Sequence, residues 1–212
     1  MIVTLLNQEG SVGRMSVALR LAAEWALHGQ CAAVTEVYPE RPALGGAEQR
    51  VPPRGLGLFD VAGLERTTLR REAPALARVV DDVIIDGPPR IDGPMRSALL
   101  AADIVLIPVR PLPFDGLASP EIFGSLWETC LRCSRLAASF ELNRCGMRTD
   151  NVRETTGILA DHAPPMPART IGQHVVFADA TQSGRLVLDV TARNAAAREI
   201  AAYAAELVRI AV

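Results

Sequence analysis

Apolar residues in this chain fall into short unbroken runs, separated by stretches in which apolar positions recur every three or four residues. The runs Ile2–Leu6, Ala32–Glu36, Leu58–Val61, Val83–Asp86, Ile104–Val109 and Ser139–Asn143, with a shorter one near Ala168–Ile171, read as strands. Several are apolar throughout, as expected of strands covered on both faces. The periodic stretches Ser16–His28, Thr67–Val80, Pro94–Ala101, Pro120–Arg135, Asn151–Asp161 and Asn194–Ile210 read as helices. Gly29 follows the first of them as a C-terminal cap. Alternation of the two patterns predicts an α/β fold, doubly wound, with a mostly parallel sheet flanked by helices. The Pro- and Gly-rich stretch Pro39–Gly57 reads as a long loop, and neither a repeat nor a second domain is evident, so residues 1–212 form a single domain. Ligands of such sheets bind at the C-terminal ends of the strands. The loops after Leu6, Glu36, Asp86 and Asn143 therefore converge on one site.

The first of those loops carries the most information. Gln8-Glu9-Gly10-Ser11-Val12-Gly13-Arg14-Met15-Ser16 joins a buried strand to a helix N-terminus. In that context backbone N–H groups and the helix dipole cradle phosphate. A phosphate-binding loop also needs Gly-Lys-Ser/Thr, and this chain has Gly13-Arg14-Met15 in its place. All 22 basic residues are arginine, so no lysine exists to serve the loop. The bland alternative is that Gly10 and Gly13 only make the turn between the first strand and helix of a doubly wound sheet.

The chain resembles the ParA/MinD family of deviant Walker ATPases, most closely short plasmid-type ParA proteins, whose loop reads Lys-Gly-Gly-x-Gly-Lys-Thr-Thr/Ser. Val83-Ile84-Ile85-Asp86-Gly87-Pro88-Pro89 is similar to the Walker B strand and its turn, and Asp103–Val109 to the next core strand. Pro111–Asp115 is similar to the loop that follows, Leu142-Asn143-Arg144 to the segment whose Asn reads adenine, and Ile171-Gly172-Gln173, Val176–Ala180 and Gly184 to the C-terminal region. The resemblance spans nearly the whole chain. It implies a P-loop NTPase-like domain with ATP or ADP and Mg²⁺ as cofactors. The nucleotide would be held by Glu9, Gly10, Ser11, Val12, Gly13, Arg14, Met15, Ser16, Asn143 and Arg144. Arg14, Glu36 and Asp86 take the catalytic positions, and Ser16 and Asp86 those nearest the metal.

Set against that pattern, the departures cluster in the site. Arg14 stands for the lysine that reaches the β- and γ-phosphates, and its planar fork is a poor stand-in for a compact ammonium. Met15 stands for the hydroxyl residue that binds Mg²⁺, and a thioether is a soft ligand for a hard cation. Ser16 has a hydroxyl one position late, turned by about 100° around the helix. Ser11 replaces a glycine of the loop. Glu9 stands where the resemblance implies the signature lysine that reaches the partner subunit's nucleotide. A carboxylate there repels each phosphate charge by about 4 kcal/mol at 4 Å and an effective dielectric near 20. The family's Asp-x-Asp-Pro is here Glu36-Val37-Tyr38-Pro39. Asp86 and Asn143 remain as an outer-sphere metal partner and an adenine reader.

Composition narrows the setting. A chain of 212 residues that is 49% hydrophobic has ample core for one domain. No apolar stretch approaches the roughly 20 residues needed to span a bilayer, and the N-terminus lacks a cationic leader. Four cysteines at irregular spacing suit a reducing cytosol. A net charge of −2 gives no global attraction to nucleic acid.

Cys130 and Cys133, with Cys145 nearby, read as packing residues rather than a zinc site, and His28, His162 and His174 as isolated surface or helix-end residues. Arg66, Arg70, Arg71 and Arg78, and separately Arg185, Arg193, Arg198 and Arg209, form candidate basic patches for DNA phosphates. Glu65, Glu72, Glu199 and Glu206 make a solvated, balanced face the competing reading. Trp25 reads as a core or interface aromatic, and Phe114 and Trp127 flank the segment where the resemblance implies dimer contacts. Two functions follow. One is a pseudo-ATPase or very weak ATPase, a cytoplasmic ParA-like scaffold that meets a ParB-like or cargo protein and forms a homodimer or a heterodimer with an active relative. The other is an active ParA-type ATPase that dimerises with ATP, binds DNA non-specifically and segregates plasmid or chromosomal DNA.

Overall fold

A computed structural model describes residues 1–7, 13–37, 59–64, 68–87, 93–109, 128, 136–145, 152, 170–174, 176 and 194–210. Its elements are β1 (Ile2–Leu5), α1 (Arg14–Leu27), β2 (Ala32–Glu36), β3 (Asp60–Gly63), α2 (Leu69–Leu76), β4 (Asp82–Asp86), α3 (Gly93–Ala101), β5 (Ile104–Val109), β6 (Ala137–Cys145), β7 (Thr170–Gly172) and α4 (Ala195–Ile210). The seven strands form one sheet in the order β3-β2-β4-β1-β5-β6-β7. All the strand pairs are parallel.

Burial explains why β1, β4 and β5 are so largely apolar: every residue in them is buried, Thr4, Asp82 and Asp86 included. Alternation sorts their side chains onto two faces. Val3, Leu5, Ile84, Ile104 and Leu106 pack with Val17, Leu21 and Trp25 of α1 and Ile200, Tyr203 and Leu207 of α4. On the opposite face Ile2, Val83 and Ile85 pack with Leu69 and Ala73 of α2 and Ala98 of α3. Met95 and Leu99 of α3 join Leu6, Val105, Ile107, Phe140 and Leu142 there. Helix α1 thus crosses on one face to β2, and α3 crosses on the other to β5. The strand order reverses beside β1, which opens the ligand crevice of a doubly wound sheet at that point.

Caps set the helix ends. Gly29 has φ 85°, and Gly29 N–H and Gln30 N–H donate to the carbonyls of Ala26 and Trp25. This is the Schellman pairing that closes α1, with Gly29 in the left-handed conformation a glycine adopts freely. Asn194 Oδ1 accepts from Ala197 N–H at 2.7 Å and caps α4.

Three elements differ from the sequence reading. Strand β3 is displaced two residues downstream, because its pairing with β2 runs from Ala33↔Asp60 to Glu36↔Gly63, while Phe59 is taken up by the α1 core. Helix α2 ends at Leu76 instead of Val80. Pro74 lies inside it, and beyond Leu76 the chain tightens, with Val79 N–H donating to the Leu76 carbonyl. Strand β6 is longer than expected, since β5 pairs with it from Ile104↔Ala137 onward and β7 continues the ladder to Cys145. The expected helices over 120–135 and 151–161, and the loop over 39–57, fall outside the described residues apart from Glu128 and Val152, which are helical.

Candidate functional site

The strand ends beside β1 are locked together by backbone. Leu6 N–H donates to the Leu106 carbonyl at 2.9 Å, and Gly87 N–H donates to the Leu5 carbonyl at 3.0 Å. The approach at Gly87 is so close that a Cβ there would sit 2.4 Å from Leu6 Cδ2 and 2.7 Å from the Leu5 carbonyl oxygen. Only glycine fits. One residue further on, Asn7 is buried, and its Nδ2 donates to the Pro108 carbonyl at 2.6 Å. This side chain crosses from the end of β1 to β5.

Gly13 then turns the chain into α1. Its φ of 91° and ψ of 22° are left-handed, and its carbonyl accepts from Val17 N–H at 3.0 Å. The turn carries Arg14 to the first position of α1, facing the ends of β1 and β4. There its Nη1 donates to the Asn7 carbonyl, and its Nε lies 3.2 Å from Asp86 Oδ1. The two side chains are only 10% and 4% exposed. The contact is an ion pair without a well-aimed hydrogen bond at Oδ1. Burial pushes the Asp86 carboxyl up to about 6, even though the Arg14 charge pulls the other way.

Arg14 and Asp86 are the sequence-selected residues that the fold brings into contact. Glu36 ends β2 at the level of Asp86, its register partner, which in turn pairs with Leu5. Gly13, Met15 and Ser16 surround Arg14 at the mouth of α1, all half-buried. Asn143 is buried near the end of β6, two strands away from β1, with Arg144 next to it. Glu9, Gly10, Ser11 and Val12 lie outside the described residues, as do Tyr38, Phe114, Trp127, Cys130, Cys133 and His162.

Asn7 was not singled out from the sequence. The available signal was a lone polar residue directly after the first apolar run, where a strand end meets a loop. Glu141 was also missed. It is fully buried in β6. Burial pushes its carboxyl up to about 8, with the Arg20 charge opposing, and neither of its oxygens has a hydrogen-bond partner among the described residues. Tyr203 of α4 is near enough to feel the Glu141 charge, and its hydroxyl has no hydrogen-bond partner among the described residues.

Two expectations need correction. His174 is not isolated, and Glu199 is not merely a balancing surface charge. Glu199 Oε2 lies 2.9 Å from His174 Nε2 and accepts from Gly172 N–H at 2.9 Å, fastening α4 to β7. Trp25 does belong to the core, as expected; His28 is exposed at the helix end but, like His174, not isolated, its Nδ1 lying 2.9 Å from the Glu24 carbonyl oxygen. Arg70, Arg71 and Arg78 are exposed around α2, and Arg198 and Arg209 are exposed on α4. Among the described residues no helix is long and apolar enough to cross a membrane, and no cluster of three His, Cys, Asp or Glu side chains is placed to hold a metal.

Compared by sequence, the chain matches no family model and none of the curated proteins. Compared by structure, it matches solved proteins over almost its whole length. MinD cell division protein of Aquifex aeolicus superposes with a TM-score of 0.75 at 16% identity, covering 100% of this chain and 98% of that one. Its complex with MinC is similar too. Cobyrinic acid a,c-diamide synthase of Mycobacterium smegmatis, with bound ATP analogue and magnesium, gives 0.75 at 17% identity, covering 98% and 94%. The ATP complex of an McdA variant from Cyanothece gives 0.71 at 14% identity, covering 99% and 96%. The superpositions show a common fold: this chain has the all-parallel, helix-covered sheet of these MinD and McdA structures.

Proposed function

We propose that this chain is a cytoplasmic ParA/MinD-type positioning protein that acts as an interaction scaffold and does not hydrolyse ATP. The observation that carries the reading is the inward turn of Arg14. A guanidinium engaged by Asp86 and the Asn7 carbonyl is not offered to a phosphate in the loop. Phosphoryl transfer rests on positioned charge, and the parts that would supply it are altered together.

The magnesium ion of the nucleotide-bound neighbours fits these residues poorly. Mg²⁺ demands near-octahedral oxygen ligands, usually one or two protein carboxylates, the substrate's phosphates and retained waters. Met15 presents a thioether, and the Asp86 oxygen nearest the site already faces a guanidinium. Glu9 adds a carboxylate to the loop, which opposes a triphosphate. Adenine recognition by Asn143 and Arg144 requires none of this machinery, so a weak contact with ATP or ADP is compatible with the reading.

As a scaffold the chain would work through its surfaces. The MinC:MinD complex supports pairing with a cargo or ParB-like protein, or with an active relative in a heterodimer. The exposed arginines of α2 and α4 would meet DNA phosphates without reading sequence. The competing reading, an ATP-driven partition ATPase, is favoured by the retained Asp86 and Asn143 and by neighbours solved with ATP or its analogue. Steady-state phosphate release decides between them. The scaffold reading expects release equal to a buffer control, with or without DNA, and turnover at ordinary ATPase rates would sink it.

A further inference from the structure

We infer that the Arg14 guanidinium is the resident cation of this site, held from within the chain at the place beside Asp86 where a divalent metal would need room. The inference rests on the scaffold reading above and specifies what has replaced the metal. Arg14 Nε sits 3.2 Å from Asp86 Oδ1, while its Nη1 bonds the Asn7 carbonyl. Asn7 in turn reaches the Pro108 carbonyl through Nδ2 at 2.6 Å. One relay of side chains therefore ties α1 to β4, β1 and β5 at the mouth of the crevice. A bound metal and nucleotide would otherwise join the same elements.

The chemistry is consistent with a permanent arrangement. A guanidinium is planar, always charged and weakly hydrated, which makes it the cation best suited to a buried carboxylate. It lies against the Asp86 carboxylate as an ion pair while donating a hydrogen bond to the Asn7 carbonyl. Nothing in that geometry requires an exchangeable ion. Among the described residues, the Asp86 charge is met by Arg14 as it stands.

Removing Arg14 should convert the site into one that answers to a metal. Arg14→Ala leaves the Asp86 carboxylate buried and unpaired, which should raise the unfolding equilibrium constant at least about a hundredfold. The space vacated beside Asp86 then admits a hydrated cation. The experiment is urea unfolding of the full chain in chelator and in millimolar magnesium chloride, for wild type, Arg14→Ala, Asp86→Asn and the double variant. Wild type should show the same midpoint in both conditions. Arg14→Ala should be destabilised and should regain part of the loss with magnesium. The double variant should be more stable than Arg14→Ala alone and indifferent to magnesium, because the unpaired charge is gone.

A wild-type midpoint that rises with magnesium alone overturns the inference, as does a double variant in which the two losses simply add. If Arg14→Ala is recovered unfolded, the double variant decides: folding supports the ion pair as the cause, and failure to fold refutes it. Outcomes also separate the two readings. Magnesium stabilisation of wild type without ATP turnover defeats this inference alone. Turnover that persists in chelator defeats the scaffold reading alone.

Discussion

Replacing Glu141 by glutamine removes an ionisable group from the interior while keeping the shape of the side chain. Glu141 lies in β6 with Ser139, on the face opposite Phe140 and Leu142, and its carboxyl is pushed up to about 8 from 4.5. Burial is the dominant cause; Arg20 of α1 opposes it. On α4 the neighbouring titratable groups are Tyr203, whose hydroxyl is raised by the same burial and by Glu141, and Glu206. The folded chain therefore holds a proton on Glu141 through a range in which the unfolded chain has released it. Stability from this group is complete below pH 4.5 and falls as pH rises, levelling off above about 8. Each pH unit in that window is worth about 1.36 kcal/mol. Between pH 5 and pH 8 the loss is thus about 4 kcal/mol, a large part of a normal folding free energy.

The assay is urea unfolding at intervals across that range, followed by circular dichroism, for wild type and Glu141→Gln. The quantity of interest is the difference in unfolding free energy between the two proteins at each pH. Asp86, Asp82 and Glu24 also have raised carboxyls, but they are present in both proteins and cancel in the difference. The wild type should lose ground against the variant steadily, by about 4 kcal/mol from pH 5 to pH 8. A difference that stays constant within about 1 kcal/mol would mean that Glu141 ionises normally and that its burial is relieved by water or by a moving neighbour.

Other consequences follow from single contacts. Gly87→Ala would drive a methyl into the Leu5 carbonyl and Leu6, and backbone cannot yield as a side chain can; a loss of about 3 kcal/mol in denaturant unfolding is expected. Gly29→Ala meets no atom within 4 Å but must adopt φ 85°, so it should cost about 1 kcal/mol by the same measurement, from backbone strain alone. Asn194→Ala removes the Oδ1 cap of Ala197 N–H and should cost about 1 kcal/mol, with faster amide exchange confined to the first turn of α4. Light scattering with and without Mg-ATP should give one mass, since the resemblance implies a lysine at position 9 for an ATP-bridged dimer and this chain has Glu9, a like charge to the phosphates; a nucleotide-dependent dimer would restore the partition-ATPase reading.

The sheet was legible because its strands are buried on both faces. Ala32–Glu36 and Ile104–Val109 could be bounded to the residue, the second because apolar residues run without interruption from Ile104 to Val109 between Asp103 and Arg110. Edge strand β3 was not, because Asp60 and Gly63 are poor strand formers and pairing with β2, rather than local apolarity, sets its limits. The expected length of α2 has a similar cause: Val79 fits the helical period, yet it is 75% exposed and so gives the helix no core contact to extend for. At the site, the places of Gly13 before α1 and of Asp86 at the end of β4 could be read from their order along the chain. The direction of Arg14 was not. Read as a substitute lysine it faces outward, whereas the register Leu5↔Asp86 sets a buried carboxylate at the level of the loop, and the guanidinium turns to it.

Helix α1 emerges as the element that neutralises the interior. Arg14 meets Asp86 of β4, and six residues on, Arg20 acts on Glu141 of β6, so one helix serves two buried acids on either side of β1 and β5. The two solutions differ in kind. Asp86 has a counter-ion in contact, whereas Glu141 is handled chiefly by keeping its proton. This arrangement limits what the crevice can accept. An anion that recruited Arg14 outward would leave Asp86 buried without a partner, a change that typically costs about 3–5 kcal/mol. Its affinity would fall by two to four orders of magnitude, roughly, relative to a site with a free cation. A ligand of this crevice must therefore bind without drawing on Arg14.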